Sequence, residues 1–211
     1  NKETLNLKLL DTKIKKRMLS HKKSLNILKK TNALLEGHFV LSSGLHSSKY
    51  IQCAKLLSYP HFAKDICMSL SQKINKNYGK IDLILSPAIG GIVIGYEVGR
   101  LLKKETIFCE RVKGKFMLRR GFKIKKRAKI LIVEDVITTG KSSLECVKLI
   151  KKANAKLLGF ACIIDRSNKK TLKIKKKITS HMKIEVPTFN KNKLPLKLKS
   201  ISISKPGSRH V

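Results

Sequence analysis

The chain has no tryptophan, and with 7 Phe and 4 Tyr its aromatic residues are scarce. Helix-turn-helix, zinc-finger and RNA-recognition signatures are missing too, which argues against nucleic-acid recognition as the main role. Acidic residues are few: 13 Asp and Glu stand against 48 Lys and Arg, for a net charge of +35. Such a charge attracts polyanions. The lysines, however, run along the whole chain rather than forming one arm, so nucleic acid is expected only as a non-specific partner. The five cysteines (Cys53, Cys67, Cys109, Cys146, Cys162) include no C-x-x-C pair. An odd, dispersed set argues against a disulfide framework or a zinc site and for reduced thiols in a cytoplasmic setting. No apolar run approaches the ~20 residues that cross a bilayer, so no membrane partner is expected. The first residues carry no signal-peptide apolar region. They also do not begin with Met, so they need not be the natural start.

What is present is 211 residues, 42% of them hydrophobic, enough for one domain with a full core. The most informative stretch is Lys129–Ser143. Ile130, Leu131, Ile132 and Val133 form a continuously apolar run, as in a parallel strand buried on both faces. Glu134 and Asp135 follow, then a loop of small and polar residues, Val136-Ile137-Thr138-Thr139-Gly140-Lys141-Ser142-Ser143, with hydroxyls on Thr138, Thr139, Ser142 and Ser143. From Leu144 to Ile150 apolar residues recur at helical spacing. The order reads as strand, loop, helix. Backbone N–H groups at a helix N-terminus, with nearby hydroxyls, can cradle a phosphate. Two carboxylates can accept hydrogen bonds from sugar hydroxyls, and two adjacent acids at a strand end are costly without a partner. A ribose 5′-phosphate fits both halves. The stretch is not a P-loop, because Asp135 stands where that motif needs its first glycine.

Glu134–Ser142 resembles the phosphoribosyl pyrophosphate (PRPP) motif of the type I phosphoribosyltransferases. The resemblance implies that Arg111, Glu134, Asp135, Val136, Ile137, Thr138, Thr139, Gly140, Lys141 and Ser142 bind PRPP. A second segment, Phe39 to Gln52, reads by itself as two strand pieces around a Ser43-Gly44 turn. Beside the PRPP motif it resembles the hood of orotate phosphoribosyltransferases, with the pattern F-x-L-x-S-G-x-x-S-x-x-Y. That family implies Tyr50, Ile51 and Thr138 against orotate. It also implies Arg166 on the orotate carboxylate, where a guanidinium can meet two oxygens with two donors. Ser42 stands where some branches have a PRPP-contacting lysine.

The remaining chain yields further expectations. Residues 1–30 form a lysine-rich tail and the start of a helix, which Gly37 ends. Residues 31–211 form a single domain, with hood segments near 38–56 and in the C-terminal part. Pro60 to Asn77 is a helix. Ile81 to Pro87 is a buried strand, and Ala88-Ile89-Gly90-Gly91 a tight turn into a helix from Ile92 to Lys103. The resemblance makes this turn the pyrophosphate loop, met at Gly90 through backbone. Thr106 to Arg111 is a strand. Val112–Gly121 is a cationic stretch before a strand-like Phe122-Lys123-Ile124, and locally it suits a solvated β-hairpin. In the family it is a mobile loop that closes the site, with Lys113 and Lys115 both open as the catalytic cation. Lys156 to Asp165 is a strand, residues 168–183 a lysine-heavy linker or hairpin, and Ile184 to Phe189 a last strand. The terminal Lys205-Pro206-Gly207-Ser208-Arg209 string resembles the ending of one bacterial branch.

The expected fold is α/β: the type I phosphoribosyltransferase fold, with a five-stranded, mainly parallel sheet flanked by helices and a small hood. The expected reaction joins orotate to PRPP, giving orotidine 5′-monophosphate and pyrophosphate in pyrimidine biosynthesis. Glu134 and Asp135 would serve catalysis, and Mg²⁺ would be held mainly through PRPP and water. A homodimer is expected, with loop 111–120 reaching the partner site. The alternatives are a phosphoribosyltransferase for another base and a PRPP-sensing regulator that binds nucleic acid.

Overall fold

A computed structural model of the chain describes residues 18–41, 43–168 and 171–204. The start of the tail, Ser42 and the terminal Lys205–Arg209 string lie outside the described residues. Helix α1 (His21–Lys30) is capped by Ser20, whose hydroxyl accepts from the Lys23 N–H at 3.3 Å. It ends earlier than expected. Asn32, in the left-handed region at φ 54°, turns the chain out of the helix. Gly37 therefore lies inside strand β1 (Leu34–Val40) and is no helix stop.

Two sheets make up the architecture. The hood sheet has the order β10-β1-β2-β9, in which β1 and β2 (His46–Ile51) form the hairpin around Gly44. Strands β9 (Thr188–Phe189) and β10 (Ile203–Ser204) come from the C-terminal part and close its two edges. Inside it, buried His38 and His46 share a 2.7 Å hydrogen bond between Nε2 and Nδ1.

The main sheet has the order β5-β4-β3-β6-β7-β8. Strands β4 (Glu105–Val112), β3 (Leu83–Pro87), β6 (Lys129–Ile137), β7 (Lys156–Asp165) and β8 (Ile178–Lys183) run parallel. The sixth strand, β5 (Lys115–Leu118), is an antiparallel edge that folds back on β4. Its turn is Lys113-Gly114, both at positive φ, which matches the twist of a two-residue hairpin. The cationic stretch after β4 is thus mostly hairpin. Phe122–Ile124 is not a strand; Phe122 packs edge-on against Phe108 at 5.2 Å. At the other edge β8 occupies 178–183 and pairs parallel with β7, where a linker or hairpin was expected, and only Thr188–Phe189 of the expected last strand is paired. Lysines mask the alternation there: Thr179 and His181 point inward from a lysine-heavy run.

Helices cover both faces. Short α2 (Cys53–Leu57), α3 (Pro60–Asn77) and α4 (Gly90–Leu102) lie on one side. There Ile66, Leu70, Ile94 and Val98 meet Leu131, Val133, Ala161 and Ile163. Helix α5 (Lys141–Lys152) covers the other, where Cys146 and Ile150 meet Ile130, Ile132, Phe160 and Cys162. Carboxylates are too few to pair the surface lysines. The ion pairs among the described residues are Lys29–Glu36, Lys80–Asp82, Arg100–Glu97, Arg111–Glu145 and Arg120–Glu110.

The β7 edge tolerates no added atom at Gly159. A methyl there would lie 2.8 Å from the Lys177 carbonyl oxygen and 2.6 Å from the Tyr78 hydroxyl. That hydroxyl donates to the Phe160 carbonyl at 2.8 Å and so cannot swing away freely. Gly159→Ala is expected to cost about 1–3 kcal/mol in denaturant unfolding, the usual penalty of overpacking. A change within the noise would show that the β7–β8 edge relaxes.

Candidate active site

The carboxyl ends of β3, β4, β6 and β7 lie along one edge, with Pro87 beside Cys109 and Ile137 beside Asp165. In an open α/β sheet this is where ligands bind. Glu134 and Asp135 reach it after four residues of β6 with no exposed surface. Strand alternation sends their side chains to opposite faces. Glu134 turns toward α5, only 8% exposed, and accepts a hydrogen bond from the Ser143 hydroxyl. Asp135 turns toward α4, where its Oδ1 accepts from the Val136 N–H at 2.9 Å. A methyl on Gly90 would stand 2.8 Å from Asp135 Oδ2. Glycine at the start of α4 thus lets the two strand–loop–helix units meet.

Burial sets the electrostatics of the pair. It pushes Glu134 up to about 7, with the Ser143 hydroxyl opposing and the neighbouring Asp135 adding to the shift. Burial raises Asp135 as well, opposed by the backbone N–H groups of Val136 and of Asp135 itself. Both acids gain from a donor or a cation arriving at the strand end.

The loop after them is open. Thr138 and Lys141 are exposed, and Thr139 and Ser142 partly so. Gly140 sits at the N-cap position of α5 at φ 75°, with no side chain to cap the helix. The Lys141 N–H donates to the Thr139 hydroxyl oxygen at 3.4 Å, and the rest of the first turn has no side-chain cap, as an anion site requires. Val136 and Ile137 contribute backbone: the Ile137 side chain is buried, and its carbonyl accepts from the Arg166 N–H at 2.8 Å.

That hydrogen bond fixes Arg166 beside the loop. Its guanidinium is partly buried, and its Nε has no partner among the described residues. Burial lowers its pKa, while nearby Tyr50 and Cys53 favour its charged form. Tyr50, on β2, rests against Phe39 with ring centroids 5.8 Å apart. Cys53 donates a weak hydrogen bond from Sγ to the Asp135 carbonyl at 3.9 Å. Tyr50, Cys53, the Asp135 carbonyl and Arg166 therefore lie close together beside Ile137, the residue before Thr138. Ile51 points the other way, into the core at 7% exposure, so only its backbone faces that region.

The loop cations stand differently. Arg111 lies over the Phe116 ring at 4.2 Å, donates to the Gly114 carbonyl at 2.8 Å, and pairs with Glu145 of α5 at 2.8 Å. It ties the β4–β5 hairpin to α5, the helix that follows the 137–142 loop. Lys113 and Lys115 are exposed at the hairpin tip. Among the described residues no three His, Cys, Asp or Glu side chains gather as a metal site. The two acids lie on opposite faces of the sheet and are not arranged as a pair of ligands for one ion, so a hard cation here would be held mainly by substrate oxygens and water. Residues not singled out from sequence also shape the region: Cys53 and Ile174. The Ser143 hydroxyl, expected to face a phosphate with those of Thr138, Thr139 and Ser142, is instead buried against Glu134.

The Glu134 carboxyl makes a pH prediction. Its ordinary value of 4.5 rises to about 7 in the folded chain. Between these the native state holds a proton that the unfolded state lacks, so its contribution to stability is full at low pH and is lost as pH rises. Glu134→Gln should remove that slope, with stability relative to wild type improving by about 2–3 kcal/mol between about pH 5 and about pH 8. Urea unfolding at the two pH values measures it. Equal slopes in both proteins would mean that Glu134 is charged throughout.

Comparison with known proteins agrees with this geometry. A family model described as the phosphoribosyl transferase domain matches residues 56–200. The orotate phosphoribosyltransferase of Parvibaculum lavamentivorans is 43% identical over 194 residues, 92% of this chain and 100% of that one. That of Caldicellulosiruptor bescii is 44% identical over 185 residues, covering 88% and 96%. The crystal structure of orotate phosphoribosyltransferase from Aeropyrum pernix superposes with a TM-score of 0.62 at 21% identity, over 75% of this chain and 92% of that one, a likeness of fold alone. With this fold, a strand-end acidic pair running into an open anion loop, and relatives matched along nearly their whole length, the chain belongs to the phosphoribosyltransferase family, among its orotate phosphoribosyltransferases.

Proposed function

We propose that this protein transfers the phosphoribosyl group of PRPP to orotate, giving orotidine 5′-monophosphate and pyrophosphate. The observation that carries the choice of orotate is Arg166. A partly buried guanidinium with a free Nε, facing Tyr50 across from the acidic pair, suits a small planar ring bearing a carboxylate. The names of the relatives point to the same base.

In this reading the 137–142 loop grips the 5′-phosphate through first-turn N–H groups and hydroxyls. Asp135 and Glu134 accept hydrogen bonds from the ribose hydroxyls. The bond from C1′ to the pyrophosphate oxygen breaks, its electron pair leaving with pyrophosphate, and a ring nitrogen of orotate bonds to C1′ from the opposite face. Positive charge grows on the ribose at the midpoint, next to two carboxylates fixed beforehand by Ser143 and by backbone. Catalysis is then positioning plus charge stabilisation. Mg²⁺ bound with PRPP would neutralise phosphate charge, held mainly through PRPP and water. Arg111, Lys113 and Lys115 are the cations for the leaving pyrophosphate.

Those lysines lie on an exposed hairpin, which supports a homodimer in which each hairpin serves the neighbouring site. An apolar surface on α4 and the residue before it supports the same reading: Ile89, Val93 and Tyr96 are 86%, 51% and 68% exposed. A soluble, cytoplasmic enzyme is in keeping with five free thiols. No described helix is long and apolar enough to cross a membrane.

Loss of orotate absorbance on adding PRPP and Mg²⁺ tests the reaction. Arg166→Ala should raise the orotate KM by about tenfold to a hundredfold, as expected when a charged bidentate contact is lost, with the PRPP KM little changed. An unchanged orotate KM would remove the basis for orotate. For assembly, Tyr96→Glu should shift sedimentation from dimer to monomer, and a wild type that sediments as a monomer would end that part of the reading.

A further inference from the structure

We propose that residues 171–177 are a strap that positions the phosphate loop, and that Ile174 is the side chain through which it acts. The inference rests on the reading of the 137–142 loop as a phosphate site.

Gly140 is buried although the loop around it is open, and Ile174 is what covers it. A methyl built on Gly140 would lie 2.6 Å from both Cδ1 and Cγ1 of Ile174. Ile174 is itself only 7% exposed and packs in the cluster of Ile137, Cys146, Ile150 and Phe160. It therefore joins the last residue of β6, the first turns of α5 and the glycine between them. One residue earlier, the Lys173 N–H donates to the Thr139 carbonyl at 3.1 Å. At its far end the strap is tied down by Tyr78, whose hydroxyl donates to the Lys177 carbonyl at 3.0 Å.

The hydrogen bond at Thr139 sets a direction. The peptide unit joining Thr139 to Gly140 is planar, with its C=O and N–H antiparallel. Holding the carbonyl toward the strap points the Gly140 N–H away from it. Between Ile137 and Ser143 no side chain of this loop is fully buried, and the N-cap glycine cannot cap the helix; one long hydrogen bond, from the Lys141 N–H to the Thr139 hydroxyl oxygen at 3.4 Å, ties the loop to it. A glycine there would otherwise sample many conformations. The strap removes that freedom before the ligand arrives, which lowers the ordering cost of binding. The lysines of the segment are exposed, so packing and one backbone hydrogen bond carry the effect, not charge.

Steady-state kinetics and PRPP titration calorimetry on Ile174→Ala, Ile174→Val and the double variant Lys175→Ala/Lys176→Ala test this. Ile174→Ala should raise the PRPP KM and Kd by about tenfold, within the range that misplacement of a positioning group produces, with kcat and the orotate KM changing much less. Ile174→Val should recover most of the loss, and it alone is read if the alanine variant does not fold. An equal rise in both KM values, or no rise, overturns the strap. So does a lysine double variant that matches Ile174→Ala, because the strap would then act by charge. If wild type shows no turnover with orotate the proposed reaction falls, and the calorimetric Kd for PRPP still decides the strap.

Discussion

Two carboxylates at the end of a fully buried strand set the terms for this molecule. Ile130 to Val133 bring the chain out of the core with no exposed surface, and Glu134 and Asp135 follow at once. A carboxylate there has lost most of its water without a cation in compensation. The structure divides the problem between the sheet's two faces. Glu134 leans on the Ser143 hydroxyl, and Asp135 on its own turn and the space that Gly90 leaves. Glycine at 90 and a hydroxyl at 143 thus follow from the same constraint, though they lie in separate helices.

The cleft is electrically divided. Burial raises the pKa of both acids on β6, while Arg166 stands at the end of β7. The hood supplies the surface between them, through Tyr50 and Cys53. The hood is built from both ends of the chain, with β9 and β10 flanking the β1–β2 hairpin. The cover of the site therefore forms only after the C-terminal part has returned, and its His38–His46 contact is sealed by the Ile201 carbonyl.

Much of this was legible in the sequence. The run from Lys129 to Ser143 announces strand, acids, loop and helix without help, because its apolar period changes at Gly140. Pro60–Asn77 is a helix end to end, as its spacing says. What could not be read depends on distance in the chain. Gly37 looks like a helix stop until Asn32 is seen to take the left-handed conformation first. Strand β8 hides because its inward residues are Thr179 and His181, whose partners lie far away in the chain, on helices: Asn77 donates to the Thr179 hydroxyl at 2.9 Å, and the Ser24 hydroxyl meets His181 Nε2 at 2.8 Å. Ile174, one of few apolar residues in a lysine-rich segment, gives no sign that it covers a glycine 34 positions earlier. Ile51 illustrates the period of two: its neighbour Tyr50 faces the cleft, so Ile51 must face the core.

The shortage of acids noted at the outset has a further meaning for the folded chain. With 48 Lys and Arg and 13 Asp and Glu, the few ion pairs leave most ammonium groups facing only one another. The protein is a compact polycation, and its ionic atmosphere is part of what holds it together. At physiological salt that atmosphere is about 8 Å deep. Counter-anions therefore relieve self-repulsion that the carboxylates cannot. Salt acts on this molecule in two opposed ways, steadying the fold while competing with a polyphosphate for the same field.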